Sequence, residues 1–309
     1  MTAEQSISVI DPINPAIQRV KEILFRPFNL GKWFTIGFCA WLAYLGSGGG
    51  GGPHFNIPSR PSEQRPEIAE GINTAKEYLM DNLFWIIPLI VIGAVIMIGI
   101  GFLIAWLNSR GRFMFLHCVA ENKSEVKVPW HKFRKHGNSL FLFRVVLGLI
   151  GLAVAVVPII GITLLIITMV TKTVSYAVSI PGIVICGLIT LVLSIALFLV
   201  RKFTFDFVVP IMFLRTASCV AGWREFLTIL SVNKARFTLY LLFQIIIAIA
   251  IGTIVLIGTC IGCCLCCVSF LLFIPYIGTV ILLPLLVFKQ AYPLYYLRQF
   301  GPGFDVFSI

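Results

Sequence analysis

The chain has 309 residues, of which 59% are hydrophobic and only 12% charged, and its mean hydropathy is +0.97. Soluble domains carry roughly 25% charged residues, so composition excludes an ordinary water-soluble fold. A net charge of +11 does not point to nucleic acid, because Lys and Arg fall between apolar runs and no soluble basic domain is left to cradle a duplex.

Only helices and closed barrels satisfy every backbone group in lipid, and barrel strands alternate apolar with polar residues. The apolar runs here are uninterrupted, so the expected fold is an all-α integral membrane protein: one helical membrane domain over 1–309 with about six transmembrane helices. The first thirty residues hold Glu4, Asp11, Arg19, Lys21, Glu22 and Arg26 and lack the layout of a cleaved leader. The N-terminus is expected to stay on the protein.

In chain order, the first element is a basic amphipathic segment. Ile13, Ala16, Ile17, Val20, Ile23 and Leu24 share one helical face, Gln18, Arg19, Lys21 and Glu22 the other, and Asn14-Pro15 starts it. A short apolar stretch, Leu30 to Leu45, follows. The run GSGGGGG then opens a Gly/Pro-rich outer loop over 46–82, which reads as a flexible linker because no GK[ST] follows it. The second span is Leu83 to Leu107. Trp85 and Trp106 lie about 31 Å apart along a helix, one indole for each interface.

A basic connection, 108–140, leads to the long run Phe141 to Val170, where Pro158 and Gly161 suggest a kink or tilt within one crossing. Val178 to Val200 is followed by a second basic connection, 201–236. Phe237 to Ile257 and Val268 to Phe288 complete the six. Both connections are rich in Lys and Arg, from Arg110 to Lys135 and from Arg201 to Arg236, so they and both termini are expected on the cytoplasmic side of the membrane. Anionic lipid head groups at that face are the expected partners, beside a membrane protein partner or a second copy.

Each outward-going span follows a basic segment expected to lie on the inner leaflet. In the third, Val220, Trp223, Leu227 and Leu230 form the apolar face; the second is VPWHKFRKHGN; Asn29, Asn138 and Asn233 each close one. The unit of interfacial helix plus two spans is therefore a candidate threefold repeat.

Three stretches resemble a known family: ILFRPFNLGKWFTIGFCAWLA with its glycine run, RKFTFDFVVPIMFLR followed by AGWREFL, and PYIGTVILLPLLVFKQAYPLYYLRQFGP. Together they resemble a bacterial multi-pass membrane family of unknown function, similar in layout to the membrane domain that precedes some glycerophosphoryl diester phosphodiesterases. The resemblance implies a bacterial cytoplasmic (inner) membrane location but brings no active site, and a phosphodiesterase barrel would need some 250 residues of its own.

Two features could carry chemistry. CIGCCLCC puts Cys260, Cys263, Cys264 and Cys267 at i, i+3, i+4, i+7, on one helical face. They read as small polarisable packing residues, as a disulfide or redox site at an oxidising outer face, or as metal ligands, for which two turns of one helix surround an ion poorly. Asp206, in FTFDFVVP, is either an acid on a transport pathway or one half of an interfacial ion pair with Arg201, Lys202 or Arg215. Arg144 is expected to snorkel to the head groups, and His117, His131 and His136 to lie on the surface. No Ser/His/Asp set, HExxH or nucleotide loop occurs, so neither catalysis nor a cofactor is expected.

Overall fold

The structure, a computed structural model, describes residues 7–46, 83–171, 176–264 and 274–308. All regular elements among the described residues are helical. Helix α1 (Ile13–Leu24) turns into α2 (Leu30–Tyr44), and Trp33 Nε1 donates across the turn to the Leu24 carbonyl at 2.7 Å. Helix α3 (Leu83–Glu121) is unbroken over 39 residues, about 58 Å long. The short α4 (Lys127–Lys132) precedes α5 (Arg134–Val170), a single helix with Pro158 inside it. Helix α6 (Tyr176–Phe203) passes through a π-helical turn, Thr204–Val208, into α7 (Val209–Arg215). Helices α8 (Cys219–Val232), α9 (Lys234–Cys264), α10 (Pro275–Ile281) and α11 (Leu283–Arg298) follow.

Four helical stretches are long and apolar enough to cross a membrane: Phe84–Glu121, Arg134–Met169, Ser179–Arg215 and Lys234–Gly262. They match the second to fifth expected spans to within one residue at an end and extend beyond them. The first expected span is α2, which at 15 residues reaches only about 22 Å. It runs antiparallel to the later half of α3. Asn108 Nδ2 donates to the Ala43 and Leu45 carbonyls at 2.7 and 2.8 Å, Cys39 and Cys118 bring their sulfurs to 3.8 Å, and Lys32 Nζ reaches Asn122 Oδ1 at 2.8 Å. Helix α2 thus lies beside 108–121 and its end sits level with Asn108, just past the end of the apolar run of α3. The sixth expected span starts outside the described residues and continues into α10 and α11, where Tyr276 of α10 donates to the Phe34 carbonyl of α2 at 2.9 Å.

The core is built from the same ends of the long helices. Residues 108–121, expected as a connection, continue α3, because no proline interrupts them and Gly111 is held against α2, up to Asn122, which takes a left-handed φ of 56°. Phe113 to Leu116, Cys118 and Val119 are buried, as are Phe207 to Val209, Ile211 and Met212. Phe207 is the hub: its ring stacks on Phe226 at 5.3 Å and meets Phe237 at 5.2 Å and Tyr240 at 4.9 Å. Close aromatic pairs of this kind add about 0.5–1.5 kcal/mol each beyond area burial.

Two expectations about faces change here. The apolar face of α1 is turned into protein: Ala16, Val20, Ile23 and Leu24 are buried, and Arg19 on its flank donates to the carbonyls of Val119 and Ala120 at the end of α3. In α8 the buried face is Cys219, Gly222 and Phe226, whereas Val220 and Leu227 are 65% and 50% exposed. Gly222 selects that face, since a Cβ there would meet Val208 and Met212 at 3.1 Å. The asparagines differ too. Asn29 caps α2 and Asn233 joins α8 to α9, but Asn138 lies inside α5 and accepts from Trp106 Nε1 at 3.2 Å.

Candidate functional site

Where the apolar runs meet the aromatic core, polar side chains from several helices converge. The π-helical turn holds one residue more than an α-helical turn, a distortion frequent at functional sites, and it carries Asp206. Asp206 Oδ2 lies 2.8 Å from Lys202 Nζ and accepts from the Tyr240 hydroxyl at 2.9 Å. Gln244 Nε2 donates to the same hydroxyl at 2.8 Å, and Lys202 Nζ donates to Gln244 Oε1 at 3.3 Å. The four side chains close a ring. Of the partners expected for Asp206, Lys202 takes the role, while Arg215 pairs with Glu225 at 3.0 Å.

One residue before Asp206, the Phe205 ring gathers cations. The guanidinium of Arg112 lies 3.7 Å from its centroid, that of Arg144 at 5.4 Å and that of Arg201 at 6.0 Å. Instead of snorkelling, Arg144 turns onto α3, its Nη1 donating to Asn108 Oδ1 at 2.6 Å, Ser109 Oγ at 3.1 Å and the Ala105 carbonyl at 3.3 Å. A backbone carbonyl and two side-chain oxygens on α3 hold it there. Lys289 of α11 sits 5.4 Å from the Tyr44 ring. Between α6 and α9 a groove of about 700 Å³ has Lys202, Gln244 and Lys289 at its polar end and Phe198, Leu241 and Ile245 along its wall.

The histidines are not uniformly superficial. His117 is 2% exposed, its Nδ1 lies 3.0 Å from Glu121 Oε1, and His136 packs against Phe113 and Phe133; His131 is exposed. Cys260 is an exposed free thiol near the end of α9. Cys263 and Cys264 end that helix, their side chains lie outside the description, and Cys267 falls outside the described residues. Among the described residues no group of three or more His, Cys, Asp or Glu side chains could hold a metal ion. Sequence reasoning missed Tyr240, Gln244 and Lys289. The signal was present, for Gln244 in LYLLFQIII and Lys289 in LLVFKQAY are polar interruptions of apolar runs, which mark paired or functional positions.

The family model for a family of unknown function, DUF7544, matches residues 7–275. No curated protein and no solved structure matches the chain.

Proposed function

The chain belongs to that family of unknown function, and from this premise we propose that it is a multi-pass protein of the cytoplasmic membrane, a non-catalytic component that organises or assists a membrane partner. One observation carries the reading: Leu188, Val192, Ile249 and Leu256 on α6 and α9 are each more than half exposed, so the long helices offer more apolar face than the chain itself covers. Lipid alone can cover it, but such faces also suit association by packing.

The bias of Lys and Arg supports cytoplasmic termini. The thrice-used order of a short helix followed by longer ones (α1 to α3, α4 to α7, α8 to α11) supports the repeat; a count of six crossings turns on α2, which reaches about 22 Å. Purification in mild detergent with identification of co-purifying membrane proteins tests the leading reading. A stoichiometric companion is expected; a protein that emerges alone and moves a solute into liposomes contradicts it.

A second reading, a transporter of small molecules or lipids, is favoured by the Asp206 ring on its π-helical turn beside a groove open toward the bilayer. Asp206→Asn separates the two. Loss of transport at unchanged protein level supports the carrier, and unchanged uptake and lipid flipping defeat it. The outer-face thiol redox reading rests on cysteines largely outside the described residues.

A further inference from the structure

Among the described residues no carboxylate forms an ion pair with any of the three guanidiniums around Phe205, although the charge of Asp206 reaches Arg112. Arg112 has its Nε buried without a hydrogen-bond partner. Arg144 donates only to neutral oxygens. Arg201 is exposed and makes no hydrogen bond or ion pair among the described residues. The carboxylate nearest in sequence, Asp206, is committed to Lys202 and Tyr240. Cations gathered this closely repel one another. An anion between them would relieve that repulsion.

Arg144 and Arg201 line one groove between α5 and α6, of about 370 Å³, whose remaining wall is Leu147, Gly148, Gly151, Leu197 and Phe198. The glycines matter. A Cβ at Gly148 would meet nothing within 4 Å, and one at Gly151 only Leu197 Cδ1 at 3.9 Å, so neither is required by helix packing. Each nevertheless weakens its helix relative to alanine. What their absent side chains leave is a channel leading away from the two guanidiniums along the apolar faces of α5 and α6. A planar guanidinium fork matches phosphate oxygens, and the apolar channel matches an acyl chain.

We propose that this groove binds one anionic phospholipid, its phosphate held between Arg144 and Arg201 and an acyl chain laid over Gly148 and Gly151. The proposal rests on α5 and α6 spanning a bilayer, and is independent of whether the protein assists a partner or carries a substrate.

The test is native mass spectrometry of the full chain in mild detergent, titrated with phosphatidylglycerol or with inorganic phosphate. Expected is one phosphatidylglycerol bound more tightly than the rest. Arg201→Gln, which breaks no protein hydrogen bond, should weaken that lipid about tenfold or more, and Gly148→Leu, which fills the channel, should weaken it comparably, both at an unchanged unfolding midpoint. Wild-type affinity in both variants overturns the proposal. Equal binding of inorganic phosphate, lost in Arg201→Gln but kept in Gly148→Leu, also overturns it, in favour of a soluble anion. A carbonate wash of the same membranes keeps the failures apart: release of the protein defeats the spanning helices, whereas retention with wild-type lipid binding in both variants defeats the groove alone.

Discussion

The two ends of the long helices are built on different terms. At one end, α3, α6 and α9 bring in Phe113, Phe207, Phe237 and Tyr240, all at 1% exposure or less, and α1, α2, α8 and α11 close around them. At the other, the same helices expose Ile96, Leu188 and Ile249 at 54%, 57% and 64%. Both ends are apolar, so hydrophobicity alone does not distinguish them. Shape does: the core end packs aromatic rings on one another and closes glycines onto neighbouring helices, whereas the far end leaves most of its branched aliphatics exposed. Tertiary stability therefore resides in the core end, and the far end depends on whatever surrounds it.

Substitution at the closest approach in the core should break this picture most severely. A Cβ at Gly111 would lie 2.5 Å from the Leu42 carbonyl carbon and 2.7 Å from the Ala43 nitrogen, both backbone atoms that cannot step aside. Gly111→Val is expected to abolish accumulation of folded protein, read as loss of the monodisperse peak in detergent gel filtration. Phe207→Ala, which empties the aromatic hub, should lower unfolding free energy by about 3–5 kcal/mol. Its counterpart at the far end, Leu188→Ala, should change it by less than about 0.5 kcal/mol, and equal losses for the two would sink the division.

Thiol chemistry sharpens the contrast without altering stability. Burial pushes the Cys219 thiol up to about 12, so it carries almost no thiolate between pH 7 and 9, and Cys39 and Cys118 are fully buried. Maleimide in detergent should label Cys260 within minutes and these three only after unfolding; prompt labelling of Cys219 in the folded protein would refute the core assignment. The one stabilising change belongs to Gly99, where an added Cβ meets nothing within 4 Å. Gly99→Ala should leave the fold intact and raise stability by up to about 1 kcal/mol.

Much of this division is visible in the sequence, but unevenly. Hydropathy adds up along a single helix, so the long runs of α3, α5, α6 and α9 stand out, and Pro158 does not split α5. The inner face of α1 follows from its 3.6-residue period. What escapes is whatever depends on a second element. LGKWFTIGFCAWLAY is equally apolar against lipid or against α3, and residues far along the chain, Asn108 and Gly111 among them, decide between them. The run FMFLHCVA was hidden by the arginines before it, which mark a connection by charge yet enter the structure stacked on aromatic rings. Lys202 was legible as a partner for Asp206 because four residues separate them on one helix. Tyr240 and Gln244 were not, since they come from another helix.

The π-helical turn at Thr204–Val208 settles a question of angular phase. The apolar stretch of α6 has no strongly preferred side, so nothing within it dictates which way Val209 to Arg215 should point on leaving it. One residue of α-helix is worth about 100° of rotation. By absorbing one extra residue, the turn sets the azimuth at which Phe207 faces the core while Phe205 faces the arginines. Removing a single residue from 204–208 would leave composition and length almost untouched, and would swing every side chain beyond it out of step with the rest of the molecule.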